Sequence, residues 1–173
     1  KPGDFVNSID STNYGTELYV INVHFKEDFV LWRKRESGGG LIGTYGSQSA
    51  ALDHLAKEGL KAEDHEIIQT QSHLLLRKDP ETGELDKTPF LMDFASSKLR
   101  VSREWNTQIG QLGGDRFSAL WKLNSLQTQN RAAQKFYNLN AENQGWVTEE
   151  DYEYAKEVYT CLLYTSPSPR YRH

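Results

Sequence analysis

The ten residues from Thr16 to Phe25, TELYVINVHF, set Leu18, Val20, Asn22 and His24 in alternation with Tyr19, Ile21, Val23 and Phe25. Successive side chains on an extended strand point to opposite faces, so a period of two over this length specifies a β-strand with one strongly buried face. Such a strand needs partners, and the chain supplies them. Phe29 to Arg33 (FVLWR) reads as a second strand, joined to the first by a turn at Lys26-Glu27-Asp28. The run EIIQTQSHLLLRK at 66–78 and the segment Thr88 to Phe94 form a second hairpin across the turn-rich DPETGELDK. Arg116 to Gln127 and Lys135 to Asn140 are expected as strands around a loop from Thr128 to Gln134.

Three helices are expected between and after these strands. Ser47 to Gly59 places Ala51, Leu52 and Leu55 inward, with Gly59 as its stop. Ser96 or Ser97 caps a helix through Leu112, whose Val101, Trp105, Ile109 and Leu112 share one apolar face, and Gly113-Gly114 ends it. Thr148, followed by Glu149, Glu150 and Asp151, opens a last helix through about Tyr159. The helices are too short and irregular for a doubly wound sheet. The expectation is therefore a β-rich α+β domain, a partly open antiparallel barrel with short interposed helices and a C-terminal helix.

At 173 residues one domain is favoured, assigned to 1–160. Residues 161–173, CLLYTSPSPRYRH, change character abruptly, and CLLYTSPSPR resembles a translated sequencing adapter; this segment is read as a non-native tail. No window approaches 18 consecutive apolar residues, so no membrane span is expected. The single cysteine, Cys161, forms no internal disulfide and fits a reducing compartment. The formal charge is −4, and setting aside Arg170 and Arg172 with the tail makes it −6. Any affinity for nucleic acid must then come from local clusters of cations rather than from overall basicity.

Catalytic patterns find little to rest on. His24, His54, His65 and His73 show no helical pairing at ligand spacing, and HExxH is absent. Asp79, Glu81, Glu84 and Asp86 surround Pro80 and Gly83, as a solvated turn does. The glycines at 38, 39, 40, 43 and 46 are not followed by the Lys-Ser/Thr of a phosphate loop, and GGGLIGTYG reads as a mobile loop carrying Tyr45. A non-catalytic protein without cofactor or metal is expected.

The positive signal is an interleaving of rings and cations. Single strands expose phosphates and flat base faces, which cations and aromatic platforms recognise respectively. Trp32, Tyr45, Trp121, Phe136 and Tyr137 are the stacking candidates. Arg33, Lys34, Arg35, Arg100, Arg103, Arg116, Lys122, Arg131 and Lys135 are the phosphate candidates. Trp105 shares an apolar helix face and is assigned to the core. Phe117 and Trp121 fall on one side of their strand by parity, with Arg116 and Lys122 on the other.

The segments KPGDFVNS (1–8), VLWRKRESGGGLIGTY (30–45), KLRVSREWNTQI (98–109), GGDRFSALWKLNS (113–125) and FYNLNAENQGWVTEEDYEYAKEVY (136–159) carry a resemblance. In their order the chain resembles bacteriophage single-stranded-DNA-binding proteins built on an oligonucleotide/oligosaccharide-binding (OB) barrel. The resemblance implies an OB-like fold and sequence-tolerant coating of single-stranded DNA in phage replication, recombination or repair, in the cytoplasm of the infected bacterial cell. It also implies recruitment of replication proteins through an acidic tail, which this chain does not show, and leaves self-association into a homo-oligomer open. Two rivals stand beside it: a phage structural or assembly protein using the sheet for protein contacts, and a metal-dependent nuclease built on Asp79 or Glu84.

Overall fold

The computed structural model describes residues 1–129, 132 and 135–164, the side chains of 128–129, 135–137 and 163–164 excepted. In chain order the elements are β1 (Phe5–Val6), β2 (Asn13–Gly15), β3 (Glu17–Arg33), β4 (Leu41–Tyr45), α1 (Gln48–Lys57), β5 (His65–Arg77), β6 (Phe90–Ala95), α2 (Lys98–Gly110), β7 (Ala119–Gln129), β8 (Lys135–Trp146) and α3 (Glu149–Tyr164). Short 3-10 turns lie at Arg35–Ser37, Ala62–Asp64 and Arg116–Ser118. The β-rich class, the antiparallel pairing and the C-terminal helix are as expected. The main sheet runs β6-β5-β3-β7-β8, with β4 also on β3, and it does not close into a barrel.

The organising element is β3, a single strand of 17 residues and roughly 55 Å at about 3.3 Å per residue. Its first residues, Glu17 to Ile21, pair with β7, and its last, Phe29 to Trp32, pair with β4 on that same side. Along its other side β5 runs from Arg77, opposite Val20, to His65, opposite Arg33. The expected turn at Lys26-Glu27-Asp28 does not form. Asp28 is a turn former, but an extended backbone satisfies all three charges: Lys26 lies 3.4 Å from Asp28, while Glu27 accepts from Gln69 and Gln71 across the strand pair.

A β-bulge changes the phase of β3. Asn22 pairs with Leu75 and His24 with Leu74, so Val23 is the extra residue and every side chain beyond it moves to the other face. Before the bulge Leu18 and Val20 join one core with Trp121, Leu123, Phe94 and, from α2, Val101, Trp105 and Ile109. After it the odd residues Phe25, Glu27, Phe29 and Leu31 take over that face. Ile21 and Val23 lie in a second core with Leu76, Phe117 and, from α3, Ala155, Tyr152 and Tyr159. The parity assigned to the end of Thr16 to Phe25 is thereby corrected: His24 meets Tyr159 of α3, and Phe25 meets His73 on the α2 side.

The sheet thus has a body covered on both faces, by α2 and α3, and an arm formed by the far halves of β3 and β5 with β4. The arm is covered only in part, by α1, whose Ala51 and Leu55 are buried with Leu31. Leu52, expected inward on α1, is half exposed.

Local signals placed the helices well. Ser47 Oγ accepts from Ala50 N at 3.1 Å to cap α1, and Gly59 follows with a left-handed φ of 65°. Thr148 Oγ1 accepts from Asp151 N at 3.1 Å to start α3, whose first turn carries three acids. Boundaries moved elsewhere. Leu41–Tyr45 is a strand rather than a mobile loop, β7 starts at Ala119 after a 3-10 turn, β8 extends to Trp146, and α3 continues to Tyr164. Residues 165–173, most of the segment read as a tail, lie outside the described residues.

Candidate nucleic-acid interface

The rings and cations singled out from the sequence do not form one stripe. Trp121, on β7, is fully buried against α2, 6.1 Å from Trp105, and so is core rather than platform. Arg100 pairs with Glu104 one turn along α2, and Lys122 lies 3.5 Å from Glu142 on the neighbouring strand. Trp32, Arg33, Lys34 and Arg35 stay together at the tip of the arm, where Trp32 is 37% exposed. The acids Glu36, Glu63, Asp64 and Glu66 lie on the flanking segments, so the tip is not a purely basic patch. Arg131 lies outside the described residues, as do the side chains of Lys135, Phe136 and Tyr137, whose backbone opens β8 opposite Gln129, Thr128 and Gln127.

Arg116 is a structural cation. The 3-10 turn breaks the strand parity at this point, sending Phe117 into the α3 core and Arg116 toward α2. Its guanidinium donates to Asn22 Oδ1 at 3.1 Å and to Asn106 Oδ1 at 2.9 Å, and lies over the Phe25 ring. With Asn22 Oδ1 thus engaged, its amide nitrogen is the donor to His73 Nδ1 at 2.8 Å. The His73 proton therefore sits on Nε2 and is donated to Ser102 Oγ at 2.7 Å. Burial, with the Arg116 charge nearby, pushes the His73 pKa down to about 3, which keeps the ring neutral. His73 and Ser102 are both fully enclosed, so this hydrogen-bonded pair orders the core and is closed to any substrate.

An open strip of sheet lies between α1 and α2, on the face that carries Leu31 at one end and His73 at the other. Pairing sets Glu27 beside Gln71, and Phe29 between Gln69 and Tyr45, so these side chains share that face. Both glutamine amides donate to Glu27 Oε2 at 2.7 Å. The Gln71 and Gln69 hydrogen bonds hold the Glu27 carboxyl below its usual range, so it is ionised at neutral pH. Arg103, on α2, reaches Gln69 Oε1 at 3.4 Å. Tyr45 lies across Gly43, where a β-carbon would stand 2.7 Å from its hydroxyl, and against His54 of α1 at 5.4 Å between ring centroids. Phe29 and Tyr45 are both partly exposed. The strip joins two of the residues chosen from the sequence, Tyr45 and Arg103, to four that were missed: Glu27, Phe29, Gln69 and Gln71. Their signal was present in Gln69 and Gln71, two amides at strand period on the face that carries Leu75 further along β5.

The opposite face of the arm carries Val30 between Thr44 and Ile68, and Trp32 between Leu41 and Glu66. Leu41 is 45% exposed. A second exposed ring, Trp146 at 68%, sits where β8 meets α3 and was not among the stacking candidates. A shallow hollow of about 530 Å³ between Lys87 and α3 is lined by mixed charges. In the acidic turn Asp79 Oδ1 accepts from the backbone of Glu81 at 2.9 Å, as a turn-capping carboxylate does. Among the described residues no three His, Cys, Asp or Glu side chains converge as metal ligands, and no helix is long and apolar enough to cross a membrane.

The described residues form a β-rich, antiparallel domain whose sheet is covered in part by three helices and leaves a strip with rings and hydrogen-bonding side chains open. A family model described as Pam3 phage gp34-like protein matches residues 1–164, and the chain belongs to this phage protein family. No curated protein and no solved structure matches it.

Proposed function

We propose that this phage protein is a non-catalytic module that holds single-stranded DNA across the strip between α1 and α2. The observation that supports it is the mixture on that strip: Phe29 and Tyr45 as flat surfaces, Glu27, Gln69 and Gln71 as hydrogen-bonding groups, and Arg103 as a flanking cation. An OB-like sheet surface binds strands in this way, by stacking bases on rings and drawing phosphates to cations. The phosphate contribution is small, because Arg100 and Lys122 face acids and Arg116 is half-buried with its guanidinium held by Asn22 and Asn106.

Salt titration of binding to a labelled oligothymidine tests the reading. Single strands are expected to bind ahead of duplex and to weaken as salt rises, and Phe29→Ala is expected to lose about tenfold in affinity, in line with ~1–3 kcal/mol per stacked base. An absence of binding at low salt defeats it. A second reading, a protein-contact role in phage assembly, is favoured by the opposite face of the arm, where Trp32 and Leu41 are exposed beside Val30 and Ile68. Trp32→Ser with Leu41→Ser separates the two: under the first reading it leaves DNA affinity intact, under the second it abolishes association with phage particles.

A further inference from the structure

The acceptors on the strip outnumber its donors. Glu27 Oε2 takes both glutamine amides, and Arg103 acts on the carboxylate through its charge, which leaves Oε1 without a hydrogen bond among the described residues. Gln71 Oε1 is buried without a hydrogen-bond partner, although Gln71 is only 5% exposed. Its amide cannot turn over to relieve this, since its nitrogen is committed to Glu27. Gln69 Oε1 is met only by the long contact from Arg103 at 3.4 Å. Gln71 Oε1 is closed to solvent, whereas Glu27 is exposed, so a ligand bringing N–H groups meets the carboxylate oxygen that the two amides leave free.

We propose that the strip selects among bases, favouring those with an exocyclic amino group over thymine, and that Glu27 is the discriminating residue. This rests on the reading of the strip as a single-strand site. Cytosine and thymine are the informative pair because they match in ring size and stacking area. Cytosine offers its 4-amino group to a carboxylate, whereas thymine offers a carbonyl oxygen at the same position, which the ionised Glu27 repels. The same argument admits adenine through its 6-amino group. Phe29 and Tyr45 supply stacking that is indifferent to base identity, so thymine strands still bind, but more weakly. The role of Gln69 and Gln71 is to position the carboxylate and keep it charged.

The test compares fluorescence-anisotropy titrations of oligodeoxycytidine and oligothymidine of equal length, at neutral pH and fixed salt, on the full chain and on Glu27→Gln. The wild-type protein is expected to prefer the cytosine strand by about tenfold, the ratio that ~1.4 kcal/mol of discrimination gives. Glu27→Gln, isosteric and able to donate to a carbonyl, is expected to bring the two strands within about twofold mainly by strengthening thymine binding. A gain of that kind cannot come from a misfolded variant. Equal affinities in the wild type overturn the inference while leaving single-strand binding standing, as does an undiminished preference in Glu27→Gln. Binding of neither strand removes the site altogether and the inference with it.

Discussion

The body and the arm share two long strands and differ in what covers them. In the body, β3 is flanked by β5 and β7 and lies between α2 and α3, so Val20, Ile21, Leu75, Leu76, Trp105 and Trp121 are wholly enclosed. Beyond the bulge at Val23 the same strands continue with only α1 to cover one face. There Phe29, Val30, Ile67, Ile68 and Trp32 remain partly or substantially exposed. What differs is the number of layers, and with it the free energy that each residue contributes by leaving water. The body is built to hold the fold, and the arm leaves surface for contact.

Truncation of one tryptophan in each region gives the largest separation. Trp105→Ala is expected to cost about 3–5 kcal/mol, as for large aromatic cavities, and Trp32→Ala within about 0.5 kcal/mol, read as denaturant midpoints. Similar losses would erase the distinction. A cation from each region comes next. Arg116→Ala leaves Asn22 Oδ1 and Asn106 Oδ1 without their donor and is expected to destabilise by about 2–3 kcal/mol. Arg103→Ala should leave stability nearly unchanged and lower DNA affinity instead.

The body should also be the more acid-sensitive region. The folded pKa of His73 is about 3 against 6.5 for the free side chain, so between these values the unfolded chain takes up a proton that the folded chain refuses. Stability therefore falls as pH drops from about 6.5 toward 3, by up to ~1.4 kcal/mol per pH unit from this group. His73→Phe removes the contribution, and the gap in stability between wild type and variant should narrow over that window in pH-dependent urea melts. A constant gap would mean that His73 is protonated in the fold. The smallest effect sharpens the arm. Gly43→Ala must lift the Tyr45 ring, at under about 1 kcal/mol of stability, and a several-fold drop in affinity for oligothymidine would place that ring against the strand.

The elements themselves were legible because their signals are local. Ser47, Gly59 and Thr148 act within one turn of chain, and the period of two in Leu18 to Ile21 needs no partner to be recognised. The site was less legible. Trp121 beside Lys122 looks like a stacking ring with its cation, yet parity in the folded sheet places one against α2 and sets the other facing Glu142. Arg116 followed by Phe117 looked the same, and a 3-10 turn buries Phe117 against α3 while Arg116 is tied to Asn22 and Asn106.

An antiparallel, β-rich domain with three helices follows from local pattern, since alternation, capping and turn chemistry depend only on near neighbours; of the three expected caps, Ser47 and Thr148 form and the one at Ser96 or Ser97 does not. Tertiary structure decided that β3 runs unbroken through Lys26-Glu27-Asp28, and that the bulge at Val23 exchanges its faces. It also decided that Glu27, Phe29, Tyr45, Gln69 and Arg103 meet on one strip. Those outcomes depend on the register of strands far apart in the chain, where a shift of one residue turns every side chain over and leaves no mark in the local pattern.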